Sequence, residues 1–194
     1  KQAAITKDKL SAIDGKLARL TPLVYSGTKR PMINPRQNTD RFKPTKAKQL
    51  RFTIFKTNNL EPCIDELEVF DTNGKNVALA ASGTKVHSSG NNTSPNRHEL
   101  RFIHDGEYGN SRSWMSNETG KGWIVLEFPQ ECVIERVSWG RDRQGKFSDR
   151  LALEYLIETS VDNKTWLKAS DASDRLPYDP KVKKIAEFSS AGLS

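Results

Sequence analysis

The chain has 194 residues, 35% of them hydrophobic, with four Trp, eight Phe and only two Cys. That is enough for one ordinary domain plus an appendage, too little for two enzyme domains and too cysteine-poor for a disulfide-dense scaffold. No run of 18 apolar residues occurs, which excludes membrane insertion by a helix. The formal charge of +7 is unevenly spread, since residues 1–50 hold 12 of the 31 Lys and Arg and 3 of the 24 Asp and Glu. A nucleic-acid-binding domain carries its positive stripe on the folded surface. Here the basicity lies ahead of the strand-rich part, so no nucleic acid is expected as a partner.

Ile5, Leu10, Ile13, Leu17 and Leu20 fall close to one helical face and predict an amphipathic helix over residues 1–20. Residues 21–48 contain Pro22, Pro31, Pro35 and Pro44 among many basic side chains, the composition of an extended strap or linker. Within it, Leu23-Val24-Tyr25 suits an edge strand. From residue 49 the pattern changes to short strands: Leu50–Phe55 alternates, and Ile64–Phe70 does so more regularly. Asp71-Thr72-Asn73-Gly74 marks a tight turn, and the polar residues 82–97 read as a long loop. Trp123–Phe128, Cys132–Trp139 and Tyr155–Ser160 follow, with a turn at Asp162–Thr165 and a last strand after Trp166. Many short strands with no helical pattern between them predict an all-β sandwich or barrel over 49–170, with 1–48 as helix and strap and 171–194 as a C-terminal tail.

The order of these strands carries a family signal. Asp105-Gly106 near Trp114, then Trp123-Ile124-Val125-Leu126-Glu127-Phe128, then Ile134-Glu135-Arg136-Val137, then Tyr155-Leu156-Ile157-Glu158-Thr159-Ser160-Val161-Asp162 closing at Trp166, resembles the discoidin or coagulation-factor type C family. That resemblance implies a jelly-roll β-sandwich of about eight strands in the galactose-binding-like superfamily, and with it a carbohydrate-binding module. Two segments are out of order. Ala47–Ile54 and Glu66-Leu67-Glu68-Val69-Phe70 are similar to strands that close the family's fold, yet here they precede Asp105-Gly106. The resemblance therefore implies a circular permutation, which a sandwich tolerates because its termini tend to lie close together. The same order resembles a discoidin-like region of large planctomycete-type exported proteins that often carry c-type haem domains; no Cys-x-x-Cys-His occurs here. A periplasmic or extracellular location within a larger protein follows from that likeness.

The family commonly holds one structural Ca²⁺ beside this turn, which needs six to eight hard oxygen ligands. The resemblance maps its Asp onto Asp105 and its closing-strand Glu onto Glu66, with Asn110 or Ser111 as the donor beyond the turn. The competing reading is an Asx-turn at Asp105 and a solvent-facing Glu66. For a sugar, a flat aromatic face and charged or amide groups are required. The loop Trp139–Arg150 supplies Trp139, Arg141, Arg143, Lys146 and Arg150, with Tyr108 nearby, and its cations suit an acidic polysaccharide. Against this stands a local network in which Arg141 and Arg143 satisfy Asp142 and Asp149 and pin the loop. Trp114, Trp123 and Trp166 read as core.

Cys63 precedes one strand and Cys132 starts another, and the two could bridge only at a Cα separation of about 4.4–6.8 Å. His87, His98 and His104 occur without a nucleophile elbow or a His-Glu-x-x-His pair, so catalysis is not expected. Two functions remain. One is a non-catalytic carbohydrate-binding module acting through loops at one end of the sandwich. The other is a structural or protein-interaction domain packed against other domains of its parent protein, with no glycan site.

Overall fold

Alternation of inward and outward side chains makes the strands. In β1 (Asn38–Thr57), Leu50, Phe52 and Ile54 are buried while Arg51, Thr53 and Phe55 between them are not. In β6 (Gly122–Gly140), Ile124, Leu126 and Phe128 are buried, and Ile134, Val137 and Trp139 continue the core past Pro129. The computed structural model describes residues 29–182 other than Pro95, together with Ile13. The helix expected over 1–20 (Ile13 aside), the Leu23-Val24-Tyr25 strand and the chain from 183 onward lie outside the described residues.

The remaining strands are β2 (Cys63–Ile64), β3 (Glu66–Asp71), β4 (Lys85–Ser88), β5 (Trp114–Met115), β7 (Ala152–Ser160) and β8 (Leu167–Asp171). Their pairings are antiparallel, in the order β3-β6-β1-β7-β8, with β4 also on β6 and β2 on β5. Two short 3₁₀ turns, Ala80–Ser82 and Leu100–His104, are the other regular elements of the described body, so it is almost free of helix.

The long ladder of β1 with β6 folds over on itself. It runs from Asn38 opposite Trp139 to Ile54 opposite Gly122. In a flat ladder, Trp139 would lie about 48 Å from Phe52, fourteen residues further along β1 at about 3.4 Å each. The two rings are instead 5.2 Å apart, and Tyr155 is 5.2 Å from both. The bend falls where the register slips from Ala47 opposite Cys132 to Gln49 opposite Glu127. Pro129, which has no N–H to give a ladder, lies inside the skipped stretch. Lys48 holds the corner by donating to the Phe128 carbonyl at 2.6 Å. The result is an antiparallel sandwich whose two layers share both long strands, with the Phe52–Trp139–Tyr155 cluster between them. Burial of a side chain this large contributes roughly 2–3 kcal/mol.

Three boundaries differ from the sequence reading. Residues 38–48, read as strap, are the first half of β1, because Asn38 and Asp40 point inward as buried polar groups that hydropathy does not mark. The polar stretch 82–97 contains β4, paired through Val86 with Leu126. The residues after 171 fold back: Arg175 is buried, and its guanidinium reaches the Tyr155 hydroxyl at 2.6 Å and Asp40 at 3.2 Å. Beside it, Arg30 N–H donates to the Asp174 carbonyl at 2.7 Å and Leu176 N–H to the Arg30 carbonyl at 2.9 Å, a short parallel bridge.

Candidate functional site: the cleft at Tyr108 and Phe147

The loop after β6 is pinned at its base. The Asp142 carboxylate is buried and accepts the backbone N–H groups of Gln144, Lys146 and Phe147 at 2.8–3.2 Å. Arg141 and Asp142 donate their own N–H groups to the Pro35 carbonyl. Arg141 is 2% exposed; its guanidinium is spent on Asp149 at 2.9 Å and on the Asn110 amide oxygen at 2.8 Å. Arg143 reaches Glu68 at 2.7 Å and lies over the Tyr108 ring. Arg150 is held by Asp149 and by Glu61.

Trp139 is corrected from a candidate sugar platform to a core residue. It is 1% exposed and its indole N–H is consumed by Asp40 at 2.9 Å. Arg141 is corrected with it, since no face of its guanidinium is open to a ligand. Of the pairing expected inside the loop, Arg141 with Asp149 forms, whereas Asp142 binds backbone and Arg143 leaves the loop for Glu68.

The outer side of the same loop is open. With residues 108–112 it walls a cavity of about 410 Å³. Tyr108 and Phe147 are each 42% exposed on its rim. Arg97, Arg112 and Lys146 bring three cations, and Asn110, Ser111 and Gln144 bring amide and hydroxyl groups; no carboxylate lines it. The side chains of Arg97 and Lys146 have no partner among the described residues, whereas Arg112 is anchored by Asp105. Of the residues expected from the sequence, Tyr108, Lys146, Asn110 and Ser111 line this cleft. Arg97, Arg112, Gln144 and Phe147 are additions. Phe147 follows a Gly-Lys turn in a hydrophilic loop, where an aromatic residue is a usable signal; nothing local marks Arg97.

Glu66 lies beside the Asp105-Gly106 turn, the neighbourhood expected for it from the sequence. Its Oε1 accepts the Gly106 N–H at 3.1 Å, while Oε2 is buried without a hydrogen-bond partner. Burial pushes the Glu66 carboxyl up to about 9. Its neighbour Asp65 is pushed up by burial to about 6, with Arg143 and Gly109 N–H groups opposing the shift. An acid in Glu66's position needs a proton or a cation. Asp105 stands at the turn, accepting the Glu107 N–H at 2.9 Å and bonding Arg112. Asn110 is corrected as a companion ligand, because its amide oxygen is turned to Arg141, and Ser111 is exposed on the cleft side. Among the described residues no group of three His, Cys, Asp or Glu converges on one point.

Both cysteines are free thiols: Cys63 contacts the Ser113 hydroxyl at 3.4 Å, and Cys132 the Ala47 carbonyl at 3.6 Å. Comparison with known proteins leaves the geometry to speak alone, because no family model, no curated protein and no solved structure matches this chain.

Proposed function

We propose that this chain is a non-catalytic carbohydrate-binding module of the galactose-binding-like jelly-roll kind. It belongs to a larger exported protein, periplasmic or extracellular, and takes an acidic polysaccharide at the loop end of its sandwich. One observation carries the reading: the cleft beside Tyr108 and Phe147 joins two exposed rings to Arg97, Arg112 and Lys146 with no carboxylate in its lining. Aromatic faces cover the C–H patch of a pyranose ring, and guanidinium forks match carboxylate or sulfate. Affinity electrophoresis through polygalacturonate, alginate or dextran sulfate tests it. Retardation should weaken in Arg97→Ala, Lys146→Ala and Tyr108→Ala; a chain that no acidic polysaccharide retards, with or without calcium, overturns it.

Calcium belongs to the same reading. Glu66 and Asp105 would hold it, and the unpartnered Glu66 Oε2 supports that fit, while Asn110 does not. Bound there, the ion would neutralise the two carboxylates and stiffen the turn on which Arg112 is anchored.

The second reading, a structural or protein-interaction domain, is favoured by the closure of the loop base, where Arg141, Arg143 and Arg150 are spent on internal partners. It expects no retardation by any glycan.

A further inference from the structure

The outer face of the β6–β1–β7 layer is unlike the rest of the surface. Register places Trp123, Thr53 and Leu156 in one row across the three strands, and Val125, Arg51 and Glu158 in the next. Successive strands are about 4.8 Å apart, and same-face rows about 7 Å apart. The Ser160–Trp166 turn rises as a wall along one side, bringing Asn163 and Trp166; Phe55 extends the other. Together they enclose a groove of about 610 Å³, half as large again as the loop-end cleft. Trp123 is 38% and Phe55 57% exposed. Neither the Trp123 nor the Trp166 indole N–H finds an acceptor among the described residues, whereas those of Trp114 and Trp139 are spent on Gly90 and Asp40.

The floor decides what the groove can hold. Arg51 and Glu158 face each other across β1 and β7 at 2.7 Å, with side-chain exposures of 33% and 15%, and the Arg51 guanidinium also lies 4.2 Å from the Trp166 ring centre. An aliphatic helix or a lipid surface laid here would strip water from this pair and return no hydrogen bonds, which is costly. A second aromatic sheet face would do the same. A ligand rich in hydroxyls repays the pair at its open edges. The lining has one cation and one anion bonded to each other, so it offers no site for a charged ligand, in contrast to the cationic loop end. The wall is held before any ligand arrives: the Asp162 carboxylate accepts the N–H groups of Lys164 and Thr165, each at 2.8 Å, and the Ser160 hydroxyl accepts those of Asp162 and Asn163. A pre-ordered wall lowers the entropy lost on binding.

We infer that this groove is a second binding site, for a neutral linear polysaccharide. Pyranose rings stack on Trp123 and Trp166, and their hydroxyls bond Arg51, Glu158 and Asn163. This goes beyond the loop-end reading and does not depend on it. Affinity electrophoresis and isothermal titration with soluble neutral β-glucan, xylan, galactomannan and galactan test it on the full chain. At least one should bind, quenching tryptophan fluorescence, with affinity reduced at least about fivefold in Trp123→Ala and in Trp166→Ala. Tyr108→Ala and Lys146→Ala should leave that affinity unchanged, which separates this site from the loop-end cleft. Circular dichroism checks that the tryptophan variants keep their fold; Glu158→Gln, which keeps size but removes an acceptor and the charge that holds Arg51, should still weaken binding. No binding to any of the four, or binding that survives both tryptophan variants, overturns the proposal. So does sedimentation showing a dimer that Trp123→Ala dissociates, because the face would then be covered by a second copy.

Discussion

Replacing Asp40 by alanine removes the group that ties the two ends of the described body together. Asp40 has no exposed surface. Its Oδ1 accepts from Arg30 at 2.5 Å, the Tyr155 hydroxyl at 2.7 Å and the Ser170 hydroxyl at 2.8 Å; its Oδ2 accepts from Trp139 at 2.9 Å and Arg175 at 3.2 Å. Removing one member of a buried ion pair costs about 3–5 kcal/mol, because the other charge stays behind. Arg30 would keep Asp174, and Arg175 would keep the carbonyls of Pro31 and Thr39, which favours the lower end. The stranded indole and phenol donors each add about 1–3 kcal/mol if no water reaches them. The expected loss is about 5 kcal/mol, a large share of the roughly 5–15 kcal/mol that a domain has. It should lower Tm by about 10 °C or more. Urea unfolding at neutral pH, followed by tryptophan fluorescence, measures it; a loss below about 1 kcal/mol with an unchanged denaturant slope would refute the reasoning. Protonation gives an independent check. Burial pushes the Asp40 carboxyl upward, but Arg175 and Arg30 outweigh burial and hold it below the ordinary 3.8. A carboxyl lowered on folding stabilises the protein above its unfolded pKa, and the benefit is lost as pH falls toward the folded value. The gap between wild type and Asp40→Asn should therefore stay constant from about pH 5 to 8 and narrow below about pH 4.

Glu66→Gln carries the opposite sign. With the folded-state carboxyl at about 9, the native protein holds a proton that the unfolded chain has released above about 4.5, so stability falls as pH rises through that window. In chelator, thermal melts of the variant should match wild type near pH 4 and exceed it by a few kcal/mol at pH 9, and added calcium should raise wild type alone. Gly140→Ala would place a Cβ 2.1 Å from the Arg36 carbonyl oxygen, a contact with backbone that neither side can rotate away from. It should cost about 1–3 kcal/mol and speed hydrogen exchange of the Arg141 and Asp142 amides, which bond Pro35. Reductant should leave Tm unchanged. Native alkylation at about pH 8 should spare buried Cys63, whose thiol burial pushes up, and modify Cys132 slowly, because burial holds its thiol at about 11.

The regular strands were legible because their burial is one-sided: Leu50–Phe55, Glu66–Phe70 and Tyr155–Ser160 alternate, and alternation is a local property. The first half of β1 was not. Asn38 and Asp40 point inward; Asn38 is satisfied locally by Asn34, but the burial of Asp40 depends on Trp139, Tyr155, Ser170 and Arg175, which are distant in sequence, as well as on Arg30. Trp139 and Trp123 exchanged their expected places for a related reason. An inward and an outward tryptophan look alike in a strand, and the choice depends on the fold-over that sets Trp139 against Phe52. At the loop end, two of the residues read from the sequence, Tyr108 and Lys146, line the cleft. The sequence reading included the Arg141–Asp149 pairing, which forms within the loop, but could not say that Arg143 would leave for Glu68, or that Arg97 and Arg112 would line the cleft, because those arrangements bring together segments distant in sequence. Glu66 beside Asp105 was legible only through strand order.

The parallel bridge between Arg30 and Arg175 has a mechanical consequence. Its two strands run the same way, so tension applied through the residues before 30 and after 176 pulls them along the common axis in opposite senses. Both backbone bonds, and the guanidinium contacts behind them, are then strained together instead of parting one at a time. A body tethered at both ends in flow or on a surface would thus resist extension at the point where the pull arrives, and the layers behind that clamp would be shielded until it gives way.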